Sequence, residues 1–177
     1  MCGICGELNL GNGAMDLSAV NRMLPTLAKR GPDQQGVYQE GPVILGHRRL
    51  AIIDLSPKAH QPMVDAQLGM VLVFNGTIYN YKTLRLELEQ NGYQFVSSGD
   101  TEVIIKAYHY WGESCVTRFD GMFAFAIWDK NKKSLFLARD RMGIKPLYYT
   151  LHNNVFRFAS HPQALLAAGA VDKRIDP

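Results

Sequence analysis

The chain has 177 residues, a formal net charge of +3, and 47% hydrophobic and 20% charged residues. This composition is typical of one globular domain with a sizeable buried core, and basic clusters as short as Lys132-Lys133 argue against a nucleic-acid partner. No segment has the length of a membrane span or the pattern of a secretory signal, and three cysteines give no disulfide framework. We therefore expect a cytoplasmic protein with no membrane partner.

The first half of the chain predicts strands around one long helix. A first strand carries Cys5, and an amphipathic helix is indicated over Asp16–Arg30 by apolar residues at helical spacing. Gly31-Pro32 ends that helix. Two fully apolar segments, Val43–Gly46 and Met70–Phe74, are typical of buried strands.

The second half predicts helices followed by hairpins. Asn80 is placed to cap a helix over Tyr81–Gln90, which Asn91-Gly92 ends, and another helix runs from Asp100 to Trp111–Gly112. The predicted hairpin strands are Met122–Trp128 with Ser134–Ala138 and Leu147–Leu151 with Val155–Ala159, and a short helix over Gln163–Ala168 follows Pro162. Hairpins combined with amphipathic helices favour an α+β layered domain with antiparallel sheets.

Cys2 is the residue that indicates a chemistry most directly. Removal of Met1 would leave a thiol and a free α-amino group on one residue. An α-amine with a pKa of about 7.7–8.0 is a base near neutral pH and can take the proton of a thiol. An early cysteine alone is more often a small buried residue, so this interpretation depends on other segments.

Five such segments follow Cys2. They are Arg30-Gly31-Pro32-Asp33, Gly46-His47-Arg48-Arg49-Leu50-Ala51-Ile52-Ile53-Asp54, Phe74-Asn75-Gly76-Thr77-Ile78-Tyr79-Asn80-Tyr81, Ser98-Gly99-Asp100-Thr101-Glu102 and Arg139-Asp140-Arg141-Met142-Gly143-Ile144-Lys145-Pro146-Leu147-Tyr148-Tyr149. In this order they resemble the N-terminal glutaminase domain of the glutamine-hydrolysing asparagine synthetases, which are class II amidotransferases of the N-terminal-nucleophile (Ntn) type. The resemblance extends over residues 1–177. It implies a four-layer αββα sandwich with two antiparallel sheets.

The resemblance also implies an activity and a set of site residues. The activity is hydrolysis of L-glutamine to L-glutamate and ammonia, with Cys2 as nucleophile and with the Asn75 side chain and the Gly76 N–H as oxyanion donors. An arginine fork suits the α-carboxylate of glutamine, and a carboxylate suits its ammonium. The implied glutamine-binding residues are Arg49, Leu50, Ile52, Ile53, Asn75, Gly76, Thr77 and Asp100.

Each of these segments has a plainer structural interpretation when taken alone. Asn75-Gly76 is typical of a tight turn, Asp100 of a helix cap, and Arg49 of a surface or ion-pair arginine. The residues interpreted as scaffold, in turns and ion pairs, are Asp33, Arg139, Asp140 and Lys145. Their joint occurrence around Cys2 favours the glutaminase.

Cys2 and Cys5 have the C-x-x-C spacing of a zinc half-site or a redox pair. A structural zinc site needs four ligands, and the third cysteine, Cys115, has no second close pair beside it. We therefore expect no metal and no cofactor in this domain, and we interpret Cys5 as a core residue.

The sequence departs from the family at Thr77, where a glutamate that helps to hold the substrate ammonium is usual. We expect weaker or altered glutamine binding as a result. The family also tends to have Ser-Glu before its last helix, and this chain has Ser160-His161-Pro162 there. One alternative is the N-acetylglutaminylglutamine amidotransferases. The chain resembles them in its small residue at position 77 and in the segment Trp111-Gly112-Glu113-Ser114-Cys115. A non-catalytic glutamine-binding module is another.

In the asparagine synthetases the ammonia passes to a C-terminal synthetase domain that activates aspartate with ATP and Mg²⁺. The phosphate-binding loop of that domain is absent from these residues, and the tail Val171–Pro177 is polar. We therefore expect a synthetase domain as partner, with ATP and Mg²⁺ bound there. The amide acceptor, the removal of Met1 and the existence of a homodimer are left open by the sequence.

Overall fold

The computed structural model describes residues 1–11 and 17–169, which form two antiparallel sheets and four α-helices. The strands are β1 (Gly3–Asn9), β2 (Gln34–Glu40), β3 (Val43–Arg49), β4 (Met63–Asp65), β5 (Met70–Ile78), β6 (Gly121–Asp129), β7 (Ser134–Arg139), β8 (Tyr148–His152) and β9 (Val155–Ala159). The helices are α1 (Leu17–Thr26), α2 (Tyr81–Gln90), α3 (Asp100–Trp111) and α4 (Pro162–Ala168). One sheet has the order β2-β3-β1-β9-β8, and the other has the order β4-β5-β6-β7.

Strand β5 shows why this sequence folds in layers. Met70, Leu72 and Phe74 pack against α2 and α3, whereas Val71 and Val73 between them face the other sheet, as the two-residue period of a strand requires. A third apolar cluster joins the outer face of the other sheet to α1 and α4. The predicted αββα sandwich with two antiparallel sheets is therefore confirmed.

Helix α1 is shorter than the predicted Asp16–Arg30. It ends at Thr26, directly after Pro25, which has no N–H and whose ring obstructs the preceding turn. The chain then continues in tight turns, in which the Ala28 N–H donates to the Pro25 carbonyl at 3.2 Å. Asp16 and the tail Val171–Pro177 lie outside the described residues. Helices α2 and α3 are confirmed, and α4 begins at Pro162 itself.

Strands β3 and β5 run at least three residues further than predicted, because a neighbouring strand continues to pair with each of them. Strand β3 extends to Arg49 rather than Gly46, opposite β1 and β2. Strand β5 extends to Ile78 rather than Phe74, and Asn75-Gly76 pairs with β6 in mid-strand. The tight-turn interpretation of Asn75-Gly76 is therefore wrong. Strands β2 and β4 were not predicted.

Asn80 does not cap α2 with its side chain. Its amide instead donates to the Arg118 carbonyl at 2.9 Å and accepts from the Asp120 N–H at 3.1 Å. The side chain therefore fastens the start of α2 to the residues that precede β6.

Candidate active site

A cavity opens where the N-terminus, the loop after β3, the end of β5 and the start of α3 meet. Every site residue implied by the sequence lines this cavity: Cys2, Arg49, Leu50, Ile52, Ile53, Asn75, Gly76, Thr77 and Asp100. The fold thus brings together residues from four segments that are distant in sequence.

Cys2 precedes β1 and is half-buried at the cavity wall. The Leu50 N–H donates to its Sγ at 3.4 Å, and Arg30 Nε donates to its carbonyl oxygen at 3.1 Å. Burial raises the pKa of the thiol above its ordinary value, although the Leu50 N–H, the N-terminal ammonium and Arg49 act in the opposite direction. The thiol is therefore protonated at neutral pH, and a nucleophilic role requires a base.

Arg49 closes one side of the cavity with a fixed cation. It ends β3 and is only 5% exposed, so the surface interpretation is wrong. Nη1 donates to Gln34 Oε1 at 2.9 Å, and Nη2 donates to the Asp54 carbonyl. A guanidinium held in this way is pre-organised for a planar anion such as a carboxylate.

Asp100 supplies a buried carboxylate, 4% exposed, at the start of α3. Gly99 occupies the helix-cap position, and Asp100 is the first helical residue, so the cap interpretation is wrong. Oδ2 accepts the Ile78 N–H of β5 at 3.0 Å. Burial raises the pKa of Asp100, although backbone N–H groups that include that of Ile78 act against it.

Asn75 places an unpaired donor at the cavity. The residue is 1% exposed, and its Nδ2 is fully buried without a hydrogen-bond partner in the part of the chain that the structure describes. Buried polar groups almost always have partners, because an unpaired donor costs about 1–3 kcal/mol. This atom is therefore a candidate for a hydrogen bond to a ligand.

The Gly76 N–H is directed towards the same cavity by the alternation of β5. On either side of it, the Phe74 N–H donates to Gln61 Oε1 at 2.6 Å and the Ile78 N–H donates to Asp100. Both bonds lie on the strand edge opposite β6, and every second amide of a strand points to the same edge. Gly76 thus presents its N–H between them. A side chain cannot replace the glycine hydrogen, because a Cβ would lie 2.2 Å from the Met122 carbonyl oxygen.

Comparison with known proteins places these residues in a family. Residues 1–177 match the sequence model of the glutamine amidotransferase domain. The chain belongs to this family. It is 41% identical to asparagine synthetase (glutamine-hydrolyzing) 3 of Bacillus subtilis, covering 99% of this chain and 29% of that protein. It is 38% identical to a putative asparagine synthetase (glutamine-hydrolyzing) 2 of Methanocaldococcus jannaschii, covering 98% and 36%.

The amidotransferase domain therefore spans about a third of the length of these relatives. In fold it is similar to the glutamine phosphoribosylpyrophosphate amidotransferase of B. subtilis, with a TM-score of 0.76 over 94% of this chain and 43% of that one. The sequence identity there is 21%, so the likeness concerns the fold, and it confirms the Ntn-type architecture.

The loop after β3 carries the apolar part of the amidotransferase cavity. Ile52 and Ile53 are 71% and 39% exposed at its rim. Asp54 anchors the loop, because its carboxylate accepts from the Ser98 N–H at 2.8 Å and from Ser98 Oγ at 3.0 Å. These bonds, with those from Ser56, hold the pKa of Asp54 below its ordinary range despite the effect of burial.

Two polar cavity residues, Gln61 and Lys145, were not recognised as cavity residues in the sequence. Gln61 lies at the edge of β5, and Lys145, 5% exposed, donates from Nζ to Met1 Sδ at 3.3 Å. Lys145 was interpreted as a scaffold residue. The only feature of the sequence that sets it apart from other lysines is its pair of apolar neighbours, Ile144 and Pro146.

The scaffold interpretation holds for the other three residues, but through backbone hydrogen bonds. Asp140 accepts the N–H groups of Phe123, Ile144 and Lys145. Asp33 accepts the Ala51 N–H, and Arg139 donates to the carbonyls of Gly143 and Lys145.

Cys5 is confirmed as a core residue of the amidotransferase domain. It lies against α1 and α4, and burial raises its pKa to about 12. Within residues 1–11 and 17–169, no group of three or more histidine, cysteine, aspartate or glutamate side chains is placed to hold a metal ion. In the same residues no helix is both long enough and apolar enough to span a membrane.

Proposed function

We propose that this domain hydrolyses L-glutamine to L-glutamate and ammonia, with Cys2 as nucleophile once Met1 has been removed. The observation that carries the proposal is the unpaired Asn75 Nδ2 beside the Gly76 N–H, which strand alternation directs to the edge of β5 opposite β6, on the cavity that Cys2 also lines. Fixed donors of this kind are what the tetrahedral intermediate of acyl transfer requires.

Glutamine binds between the two charged groups of the cavity. Its α-carboxylate pairs with the guanidinium of Arg49, and its α-ammonium pairs with the carboxylate of Asp100. Leu50, Ile52 and Ile53 enclose the methylene groups of the substrate. Thr77, in the position next to Gly76, contributes no charge, so Asp100 alone neutralises the ammonium.

The chemistry follows from the raised pKa of the thiol. Removal of Met1 converts the Cys2 nitrogen from an amide into an amine, which takes the thiol proton. The thiolate adds to the side-chain carbonyl of glutamine, and the oxyanion accepts hydrogen bonds from Asn75 and Gly76. Collapse of this intermediate breaks the C–N bond, and the ammonium of Cys2 returns the proton taken from the thiol to the leaving NH₂ group, which departs as ammonia. Water then hydrolyses the γ-glutamyl thioester and releases glutamate and the Cys2 thiol.

The first test is the intact mass of the protein before and after incubation with 6-diazo-5-oxo-norleucine, a reactive glutamine analogue, followed by peptide mapping. Loss of Met1 and one adduct on Cys2 are expected, together with glutamate production from glutamine. Cys2→Ala is the matched control and should give neither adduct nor glutamate. A processed Cys2 that binds glutamine but gives no adduct and no glutamate would support a non-catalytic binding module instead.

We further propose that the ammonia passes to a C-terminal synthetase domain, which amidates aspartate with ATP and Mg²⁺. The length and names of the curated relatives support this proposal. The full-length protein, supplied with ATP, Mg²⁺, amide-¹⁵N glutamine and both aspartate and an N-acetylated glutaminyl dipeptide, should form ¹⁵N-asparagine. Labelling of an N-acetylated glutaminyl dipeptide, and not of aspartate, would contradict it and support the alternative branch.

A further inference from the structure

Strand β4 leaves the edge of β5 before β5 reaches the site. Its pairing with β5 ends at Met63, opposite Leu72, whereas β5 continues to Ile78. Two residues further in the same register, position 61 would lie opposite Phe74. Gln61 is not part of β4, so no strand within the described residues pairs with Phe74 on this edge.

Side chains take the place of the missing strand. Gln61 Oε1 accepts the Phe74 N–H at 2.6 Å, as a backbone carbonyl would. The Phe74 carbonyl oxygen in turn lies 3.0 Å from His47 Nε2. Because a carbonyl only accepts, Nε2 carries the proton and donates. Both polar groups of Phe74 are thus held by side chains from outside β5.

This contact with Phe74 is the one hydrogen bond described for the His47 side chain. It lies on β3, is completely buried, and reaches from one sheet to the other. Burial lowers its pKa to about 4, so the ring is neutral at physiological pH. With the proton on Nε2, the unprotonated Nδ1 has no partner within the described chain. The histidine therefore does not serve as a proton relay, and its one described hydrogen bond goes to Phe74.

We infer that His47 and Gln61 are positioning residues for the oxyanion site, because they fix the two peptide groups on either side of Phe74, directly ahead of Asn75 and Gly76. This inference rests on the proposed glutaminase function. The carboxylate of Asp100 fixes the same edge beyond the site, at Ile78. The Gly76 N–H is therefore bracketed by two anchored amides, at positions 74 and 78, and its direction depends on both.

The test compares three variants of the processed protein. His47→Leu removes the donor, His47→Gln keeps an N–H at a similar reach, and Gln61→Met removes the acceptor at a similar length. Two ligands are titrated: L-norvaline, which has the α-carboxylate and α-ammonium of glutamine but no side-chain oxygen, and glutamate γ-semialdehyde, which adds to Cys2 and places an oxygen in the oxyanion site. Turnover of glutamine and the amide exchange rate of Gly76 are measured alongside.

We expect His47→Leu and Gln61→Met to lower kcat and the aldehyde affinity by about 10- to 100-fold, since a small misplacement of a catalytic group has effects of this size. Norvaline affinity should stay unchanged, Gly76 amide exchange should become faster, and His47→Gln should recover most of the loss. Where His47→Leu does not fold, Gln61→Met decides. Equal loss for both ligands, or loss for neither, would overturn the inference.

The outcome separates the two hypotheses. A processed wild-type protein without turnover would refute the proposed function, but the Gly76 exchange rates would still show whether His47 holds this edge. Unchanged exchange and unchanged kcat in the variants, with an active wild type, would refute the positioning role alone.

Discussion

Asn75→Leu is expected to make the protein more stable and less active at the same time. The substitution replaces the side-chain amide by an apolar group of similar size at a buried position. Nδ2 has no partner to lose within the described chain. A structural asparagine would behave in the opposite way, so the sign of the stability change is the informative quantity.

The magnitudes follow from the state of that atom. Leaving a buried donor unpaired costs about 1–3 kcal/mol, and leucine removes the donor while its branched end fills the same space. After allowance for imperfect packing, we expect the free energy of unfolding to rise by about 1 kcal/mol. Loss of one oxyanion donor should lower kcat by about 10²–10³, equivalent to about 2.7–4 kcal/mol.

Urea unfolding and steady-state glutamine hydrolysis measure the two effects. Asn80→Leu is the matched control, because that amide makes two hydrogen bonds, to the Arg118 carbonyl and from the Asp120 N–H. It should lower the free energy of unfolding by about 1–3 kcal/mol and leave kcat unchanged. A less stable Asn75→Leu protein would refute the reasoning, because it would show that the Asn75 amide is paired in the free protein.

Three further predictions concern charge and protonation. Thr77→Glu should lower the KM for glutamine by adding a carboxylate beside Asp100, and an unchanged KM in initial-rate assays would contradict this. Arg49→Lys should raise that KM by about 10- to 100-fold with a smaller change in kcat. Hydrogen bonds to a charged group contribute about 1.5–3 kcal/mol, and lysine has no planar fork. An unchanged KM would count against the binding of the substrate α-carboxylate by Arg49. Burial lowers the pKa of His47 from 6.5 to about 4, so the unfolded state binds more protons between these values. The stability that depends on neutral His47 is complete above pH 6.5 and falls by about 3 kcal/mol towards pH 4. In urea unfolding between pH 4 and pH 6.5, the free energy of unfolding of His47→Gln should depend correspondingly less steeply on pH than that of the wild type.

The strands that were predicted and those that were missed differ in how their side chains are buried. The apolar Met70–Phe74 was recognisable because both of its faces are buried between layers. Strand β2 lies at a sheet edge with most of its side chains exposed or half-exposed, and its sequence is mainly polar, so it lacked that signal. The extension of β5 through Asn75-Gly76 runs against the turn preference of this dipeptide, and only pairing with β6 explains it.

The site was predictable only in part for a similar reason. Cys2 is a recognisable nucleophile by its position, but the arrival of Arg49 and Asp100 at the same cavity depends on the whole fold and came from the family resemblance. The role of His47 depends on a contact between two sheets. Its sequence neighbours on β3 gave no sign of that contact, since Gly46 and Arg48 point to the opposite face.

The open edge of β5 explains how a backbone donor can be both rigid and directed at a ligand. On a loop, an amide without a partner is free to turn towards water. In β5 the amides two positions before and after Gly76 are bonded on the same edge, and pairing with β6 holds the other edge. The amide therefore cannot turn without breaking those contacts. For the same reason Gly76→Ala is a poor test of the donor: its Cβ would collide with the Met122 carbonyl and push the strands apart. The His47 and Gln61 variants change the direction of this amide without adding an atom to β5, and they are the way to test whether the strand edge itself is part of the catalytic apparatus.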